Sequence, residues 1–388
     1  MIAPEQITYL DNNATTAIDP EVLEAMRPFQ EKYYANPSSG YRFAAHVRDA
    51  IEQAREQVAA LLGCEPGEIV FTSGGTESNN TAIHSALETQ PECKHIITTA
   101  VEHSAVRNPA QRLQERGYDV TFLAVDRSGR LSARALVDAI RPDTALISIM
   151  WANNETGVIF PMQEIAAIAQ ERGVPLHTDA IQAAGKIPIN LREVPMQFLS
   201  ISGHKLHAPK GVGALYVNRR ARFRPFVLGG SHENNRRAGT ENAPSIVALG
   251  KAAEIALAKV REESTRVRSF RDRFEKSLLE QLSDVQINGA DASRLPNTSS
   301  VIFGGIESEA ALLMLDQENV CCSAGSACRT GSLKPSHVLT AMGLVNNEAR
   351  ASLRFSFGRF NTEADLERAL DVVPRVVRKL RALSPVIA

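Results

Sequence analysis

Apolar and polar residues along this chain follow two alternating patterns, short apolar runs and longer stretches in which apolar residues recur with helical spacing. The longer stretches are typical of amphipathic helices and cover residues 44–62, 105–116, 132–140 and 162–172. The short runs are typical of buried strands and cover residues 68–72, 95–99, 119–125, 144–150, 174–178, 198–201 and 214–217. This alternation predicts a mainly parallel sheet with helices on both faces.

The pattern changes after residue 242. A charge-rich helical stretch runs from about residue 243 to 282, and glycine, serine and short strands such as 299–303 follow it. A chain of 388 residues is long for a single hydrophobic core. We therefore predict a large domain over residues 15–257 and a small domain that combines residues 1–14 with residues 258–388.

Polar side chains follow four of the predicted strands at the point where each strand ends. They are Glu102-His103, Asn153-Asn154, Asp179 with Gln182, and Ser202 with His204 and Lys205. In an open α/β sheet, the carboxyl ends of the strands form the ligand crevice. A lysine beside a carboxylate there suits pyridoxal phosphate, which forms a Schiff base with an amine and needs an anion at its ring nitrogen. Each of these residues alone is more typical of a surface or a turn. The prediction of a cofactor site therefore depends on all four strand ends carrying such residues.

A glycine turn at residues 73–80 links the strand at 68–72 to a helix that we expect to run through Ala82 and Ile83. Its glycines let the backbone approach a ligand, the free N–H groups of the helix end donate, and Thr76 adds a hydroxyl. Taken alone, such a stretch is more often an ordinary strand-to-helix turn. Beside the other strand ends, it predicts a phosphate-binding position.

Two polar loops carry further candidates. Residues 229–242 form either a flexible surface connector or a loop that lines a site or a subunit interface. Residues 321–335 are small, polar and glycine-containing, which predicts a mobile loop with Cys328 in its middle. Structural cysteines lie in apolar periodic segments, and Cys328 does not. A thiolate at this position is suited to collecting a group in one place and delivering it in another.

The stretch 351–359 alternates apolar and polar residues as a strand does, which places Arg354 and Ser356 on one face. An arginine fork that points into a cofactor site is the usual clamp for a substrate carboxylate. A surface salt bridge is an equally good interpretation of Arg354 until the cofactor site is accepted.

Composition narrows the classes of partner. Hydrophobic residues make up 44% and charged residues 22%, and 43 basic against 44 acidic residues leave a net charge of −1, so nothing favours nucleic acid or an anionic membrane. No export signal or apolar run of membrane-spanning length is expected. The five cysteines are an odd count that predicts free thiols in a reducing cytoplasm. A metal site at Cys321, Cys322 and Cys328 is not expected, because no paired CxxC or histidine pattern supports one.

Over nearly its whole length the sequence resembles the cysteine desulfurases, pyridoxal-phosphate enzymes of the class V aminotransferase family. The stretches that carry the resemblance are YLDNNATT, FTSGGTESNN, the pair Glu102-His103, NNETG, HTDAIQ, SGHK, RRAGTEN, GSACRTGSLKPSHV and LRFSFGRF. The long GSAC segment and RRAGTEN resemble the NifS/IscS branch more than the SufS branch. The resemblance implies the type I fold of pyridoxal-phosphate enzymes, with a mainly parallel seven-stranded sheet between helices and a smaller α+β domain.

The resemblance also implies roles for single residues. Around the cofactor ring they are the Schiff-base lysine Lys205, the ring-nitrogen partner Asp179, the stacked His103, and Asn154 and Gln182 on the ring-hydroxyl side. The phosphate cup comprises Gly75, Thr76, Ser202 and His204, completed by Thr240 of the other subunit of a homodimer. Arg354 matches the arginine that binds the substrate carboxylate, with Asn154 beside it, and Cys328 matches the nucleophile that becomes a persulfide.

The implied reaction converts L-cysteine to L-alanine and passes sulfur from Cys328 to an acceptor, such as an Fe–S scaffold or a system for tRNA or cofactor thiolation. The alternatives are an aminotransferase, a selenocysteine lyase, or a scaffold that binds the cofactor without turnover; Lys205 and Cys328 together disfavour the last. The sequence departs from the family's usual text at Tyr41 and Ala44, at Asn234-Asn235, and at Arg329. The Arg329 charge favours a lower thiol pKa at Cys328.

Overall fold

The computed structural model of the chain describes residues 3, 6–324 and 335–383. The loop predicted at 321–335 is therefore described only at its ends. Cys328 and Arg329 lie outside the described residues.

The helices and strands are numbered in chain order. The strands are β1 (Thr8–Tyr9), β2 (Ile69–Thr72), β3 (His95–Thr99), β4 (Asp119–Leu123), β5 (Thr144–Ser148), β6 (Leu176–Asp179), β7 (Phe198–Ser202), β8 (Gly213–Val217), β9 (Val285–Ile287), β10 (Thr298–Phe303), β11 (Val320–Cys321) and β12 (Ser352–Ser356). The helices are α1 (Pro20–Glu31), α2 (Arg42–Leu62), α3 (Gly75–Glu88), α4 (Ser104–Glu115), α5 (Ala133–Ala139), α6 (Met162–Glu171), α7 (Ala243–Gln281), α8 (Ser308–Gln317), α9 (His337–Ala341), α10 (Asn346–Arg350) and α11 (Glu363–Leu383).

A seven-stranded sheet in the order β2-β8-β7-β6-β5-β3-β4 forms the centre of the molecule. Its neighbours pair in parallel except at β8, which runs against both β7 and β2. Alternate residues of each strand face opposite cores. In β2, for example, Ile69 and Phe71 join the core with α2 and α7, and Val70 joins the core with α3 and α4. The predicted mainly parallel seven-stranded sheet between helices is confirmed.

The prediction for the start of α3 was wrong, because the helix begins at Gly75 and not beyond residue 80. Gly74 has φ of 146°, a conformation open to glycine, so the chain turns from β2 into the helix within two residues. A Cβ on Gly75 would lie 2.0 Å from Ile181 Cδ1, so a larger residue would force the Ile181 side chain to move where α3 packs against the segment after β6. Thr76 therefore lies in the first turn of α3.

Helix α7 connects two separate cores. Asn242 accepts a hydrogen bond from the Ser245 backbone at its start, and the helix continues without a break past residue 258. Its first half packs on α1 and α2. Val267 and Phe274, in its second half, pack against α11 and the antiparallel sheet β12-β10-β9, as the predicted α+β part requires. The predicted domain boundary at 257/258 thus falls inside one helix and stays a prediction.

The loop 229–242 contains an anchored residue. Glu233 is 6% exposed, and its carboxylate accepts hydrogen bonds from Arg55 (2.8 Å) and from the backbone N–H of Phe71 (2.9 Å). Arg237 binds Glu77 in the first turn of α3 at 2.9 Å. The loop is therefore tied to the sheet and to α3, and the interpretation as a flexible connector does not hold for this part of it. None of the helices in the described ranges has both the length and the apolar character needed to cross a membrane.

Candidate active site

A cavity of about 360 Å³ lies at the carboxyl ends of β3, β5, β6 and β7. Parallel α/β sheets bind ligands at this edge, formed by the carboxyl ends of the strands. Ten residues selected from the sequence line it: Gly75, Thr76, His103, Asn154, Asp179, Gln182, Ser202, His204, Lys205 and Arg354. Side chains that are far apart along the chain thus meet in one place.

Lys205 is held by the N-terminal stretch of the chain. It ends a short 3₁₀ turn, Gly203–Lys205, that directly follows β7. Its Nζ donates to the backbone oxygens of Asn13 (2.5 Å) and Ala14 (2.6 Å). Backbone oxygens accept only, so they hold the amine in place without adding a full negative charge. The arrangement keeps an amine at the cavity wall.

Asp179 ends β6 and is 5% exposed. Its Oδ2 accepts from Asn79 Nδ2 at 2.7 Å, and its Oδ1 accepts from the Ile181 backbone at 3.0 Å. Burial raises the pKa of Asp179, while the charge on His103 and the hydrogen bond from Asn79 act in the opposite direction. A cationic group of a ligand would offset the free-energy cost of burying the Asp179 carboxylate. The site therefore favours a ligand with positive charge beside Asp179.

His103 caps the N-terminus of α4, and its Nδ1 accepts from the backbone N–H of Ala105 at 3.1 Å. In the neutral ring the proton is therefore on Nε2. The preceding Glu102 is buried, and burial raises its pKa to about 8 although Met150 and Thr99 donate to its Oε1. Glu102 is accordingly protonated at neutral pH, and the charged groups at the cavity wall lie elsewhere.

Another part of the cavity wall is formed by the start of α3 and by the turn after β7. Gly75 and Thr76 form the first turn of α3, a 14-residue helix whose N-terminus carries unpaired backbone N–H groups and partial positive charge. Ser202 and His204 line the cavity beside them. Burial and the nearby Lys205 lower the pKa of His204 to about 4, so its ring is neutral near pH 7. This wall can bind a phosphate through N–H and hydroxyl donors.

Arg354 lies in β12 and is 2% exposed. Its Nη1 donates to the backbone oxygen of Asn154 (2.9 Å), and its Nη2 forms an ion pair with Asp11 (2.8 Å). Its Nε is buried and has no hydrogen-bond partner among the described residues. A buried guanidinium with an unmet donor, at the wall of a cavity, can bind a carboxylate. Because Arg354 is buried and lines the cavity, the surface salt-bridge interpretation was wrong.

One residue selected from the sequence does not join this cavity, and another lies outside the described residues. Thr240 is exposed and does not line it within its own chain. Cys328 lies outside the described residues. Among the described cysteines near that segment, Cys321 and Cys322 are partly buried, and burial raises the pKa of both thiols. Their thiolates are disfavoured, so neither is prepared to act as a nucleophile.

Sequence reasoning missed residues that hold the site together. Asn13 accepts from Lys205 and Gln182 through its backbone oxygen, and Asn79 binds Asp179 from one turn inside α3. Asp11 pairs with Arg354. The first of these contacts joins residues almost two hundred positions apart, so local patterns carry no sign of it. The only available signal was that YLDNNATT and FTSGGTESNN are two of the motifs of the resemblance.

Comparison with known proteins agrees with this geometry. The family described as Aminotransferase class-V matches residues 8–369. A cysteine desulfurase of Trichormus azollae is 52% identical over 379 residues, covering 98% of this chain and 95% of the relative. Cysteine desulfurase NifS of Azotobacter vinelandii is 48% identical over 378 residues, covering 97% and 94%. A solved NifS-like protein superposes with a TM-score of 0.90 at 34% identity, covering 96% of this chain and all of that one.

The chain belongs to the class V aminotransferase family. Within that family it groups with the cysteine desulfurases of the NifS/IscS kind. The sequence-based predictions of the family, the fold and the class of enzyme are confirmed.

Proposed function

We propose that this chain is an L-cysteine desulfurase that binds pyridoxal 5′-phosphate in the cavity at the strand ends. The observation that carries the proposal is the convergence of Lys205, Asp179 and Arg354 on one cavity of about 360 Å³. An amine, a buried carboxylate and a buried guanidinium are the groups needed by an aldehyde cofactor with a basic ring nitrogen and by an amino-acid substrate. Relatives at about half identity that are named cysteine desulfurases support it.

The residues present fit this cofactor from end to end. The α3 N-terminus with Thr76, Ser202 and His204 would hold the phosphate, and Lys205 would hold the aldehyde carbon covalently. Asp179 would hold the protonated ring nitrogen, because a desolvated carboxyl group gains most from a cationic partner. The faces and hydroxyl side of the ring would lie against His103, Asn154 and Gln182.

When bound, pyridoxal phosphate supplies an aldehyde that combines with amines and a cationic ring that withdraws electrons from the substrate's α-carbon. Arg354 binds the carboxylate of L-cysteine, assisted by Asn154, and so orients the amino acid in the cavity. Lys205 would remove the α proton once the amine of the substrate has replaced it at the aldehyde carbon, since its amine is held at the cavity wall. His103 exchanges protons through Nε2, because Nδ1 is occupied by the Ala105 backbone.

The sulfur then moves to Cys328. Its thiolate attacks the substrate sulfur, an S–S bond forms, and the bond from the substrate sulfur to Cβ breaks with its electron pair left on Cβ. One proton is added at Cβ, Lys205 returns the α proton to Cα, and L-alanine is released, while Cys328 keeps a persulfide. A thiol or a protein acceptor, such as an Fe–S scaffold or a thiolation system, would then receive the sulfur. This transfer would take place in the cytoplasm, where thiols stay reduced.

We further propose that two copies form a homodimer in which Thr240 reaches the phosphate position of the partner. Thr240 is exposed in its own chain. Tyr34, Tyr41 and Leu228 expose 80%, 55% and 79% of their surfaces, a large apolar exposure for one side of a protein. A 3.4 Å hydrogen bond between Ser38 and His232 brings the segments of these residues together. A dimer interface would cover them.

The test is alanine and sulfide release from L-cysteine in the presence of a thiol reductant, with the visible spectrum recorded beforehand. Matched yields from a yellow protein are expected. Cys328→Ser should keep the visible band and lose turnover, whereas Cys93→Ser is the control that should retain both, since Cys93 lies in the turn between α3 and β3 and does not line the cavity. Equal alanine yield from Cys328→Ser and wild type would contradict the role of Cys328.

A further inference from the structure

A second, small cavity of about 50 Å³ lies behind the candidate site. Lys205 lines both cavities, and Gln182 lines the large one. Lys186 lines the small one, so it lies behind the cavity wall and not in it. The mechanism above gives Lys186 no role.

The chain after β6 places Gln182 and Lys186 side by side. The backbone N–H of Ala184 donates to Ala180 at 2.9 Å and that of Ile187 to Ala183 at 3.1 Å, so residues 180–187 wind in successive turns. Residues four apart on such turns are neighbours. Gly185 has φ of +71°, a conformation that favours glycine, and a Cβ there would lie 2.4 Å from the Leu206 side chain. The chain therefore requires glycine at position 185, where it packs against the residue that follows the Gly203–Lys205 turn.

The Gln182 side chain is held at both ends of its amide. Lys186 Nζ donates to Gln182 Oε1 at 2.5 Å, and Gln182 Nε2 donates to the backbone oxygen of Asn13 at 2.9 Å. The same Asn13 oxygen accepts from Lys205 at 2.5 Å. A backbone oxygen only accepts and a lysine amine donates, so both contacts require the amide oxygen to face Lys186. The second N–H of Nε2 is then available toward the large cavity.

We propose that Lys186 is a positioning residue that fixes Gln182 as a hydrogen-bond donor toward an acceptor oxygen on the ring of the bound cofactor. This inference rests on the proposed function. Without Lys186, the Gln182 amide can rotate and direct its oxygen toward the large cavity. That oxygen would repel an anionic oxygen on the ligand. Burial, with the charges of Lys205 and Arg354, lowers the pKa of Lys186 well below its usual value. The amine donates through its N–H groups in either protonation state, and the Asn13 oxygen, which only accepts, keeps Gln182 Nε2 on its own side, so Gln182 Oε1 faces Lys186.

The test compares holoenzymes in which Lys186 or Gln182 is changed. Lys186→Met keeps the length of the side chain and removes its donor, and it should weaken binding of pyridoxal phosphate about five- to tenfold, the effect of one hydrogen bond. Its visible band should also change its pH midpoint relative to wild type. Lys186→Gln restores a neutral donor and should recover part of the binding. Lys276→Met, on an exposed part of α7, is the control and should bind like wild type.

A double-mutant cycle separates positioning from general structural damage. If Lys186 acts through Gln182, Lys186→Met should cause no further loss of cofactor binding in a Gln182→Ala background. Equal losses in both backgrounds, or wild-type binding by Lys186→Met, would overturn the inference and leave the proposed function standing. A wild-type protein that binds no pyridoxal phosphate would overturn both. If Lys186→Met does not fold, Lys186→Gln serves in the same cycle, with a partial loss expected because its amide can face either way.

Discussion

The central sheet buries polar groups in two regions, and their surroundings differ. Inside the strands, His177 is hydrogen-bonded to Ser148 (2.8 Å) and Ser200 (3.0 Å) on the neighbouring strands. His95 is likewise bonded to Thr144 (2.8 Å) and Thr121 (2.9 Å). At the carboxyl ends, by contrast, Asp179 and Lys205 line a cavity that Arg354 of β12 also lines.

Burial alone therefore does not mark a functional residue. Both ring nitrogens of each strand histidine have hydroxyl partners in adjacent strands. These side chains therefore stabilise the sheet and have no ring nitrogen left to bind a ligand. At the strand ends of the same sheet, Asp179 and Lys205 instead line a cavity, and Arg354 of β12 lines it from the small sheet with a buried Nε that can serve a ligand. Substitutions at the strand ends should thus reduce activity, and substitutions inside the strands should reduce stability.

Lys205→Ala should have the largest effect. It removes the proposed covalent link to the cofactor and the proposed proton carrier, and proton transfer alone contributes about 10²–10⁴-fold to rate. We expect no visible band after dialysis and a loss of alanine formation of at least about a thousandfold. Lys276→Met is the matched control on an exposed part of α7. A variant that stays yellow and active at position 205 would show that another amine holds the cofactor.

Asp179→Asn should rank second. It removes the negative charge proposed to face the ring nitrogen and places an amide opposite the donors Asn79 and Ile181. Breaking one side of a buried ion pair costs about 3–5 kcal/mol, so turnover should fall about a hundredfold or more. Asp138→Asn on the exposed side of α5 is the control. Turnover within about threefold of wild type, in a variant saturated with cofactor, would remove Asp179 from the proposed role.

His177→Gln should change the acid stability of the sheet and not the chemistry. Burial lowers the pKa of His177 to about 3 from its usual 6.5. The unfolded chain therefore binds the proton first, and stability falls as pH drops from 6.5 toward 3, by up to about 1.4 kcal/mol per pH unit. Urea unfolding at pH 7, 5.5 and 4.5 should show a shallower decline for His177→Gln than for wild type. The partly exposed His84→Gln is the control, and parallel declines for His177→Gln and wild type would contradict the assignment.

The sequence was sufficient to predict the strand-end residues, because apolar runs mark the strands and polar residues directly follow them. It was also sufficient for the parallel sheet. It was not sufficient for contacts between distant segments, such as Asn79 with Asp179 or Asn13 with Lys205. It placed the start of α3 too late, because two glycines suggested a longer turn, whereas Gly74 supplies a positive φ and Gly75 packs closely on Ile181. The role of Thr240 depends on a second chain and stays a prediction.

Glu102→Gln should have the smallest effect and the opposite pH dependence. Burial raises the pKa of Glu102 to about 8 from its usual 4.5, so the folded protein retains a proton that the unfolded chain loses. The stability that Glu102 contributes is complete below pH 4.5 and is lost as pH rises through 8.

Glutamine keeps the acceptor for Thr99 and Met150 and does not ionise, so the variant should gain stability relative to wild type as pH rises. We expect a relative gain of up to about 1.4 kcal/mol per pH unit between pH 4.5 and 8. The buried amide N–H groups that replace Oε2 offset it by about 1–3 kcal/mol at every pH, which leaves the smallest net change of the four variants. Glu171→Gln, exposed at the end of α6, should show no such trend in the same urea titrations. A Glu102→Gln variant whose stability stays parallel to wild type from pH 5 to 8.5 would show that Glu102 is ionised in the folded protein. The candidate site would then contain a negative charge beside His103. The contrast between polar groups inside the strands and charged groups at their ends would then have to include Glu102, which follows β3.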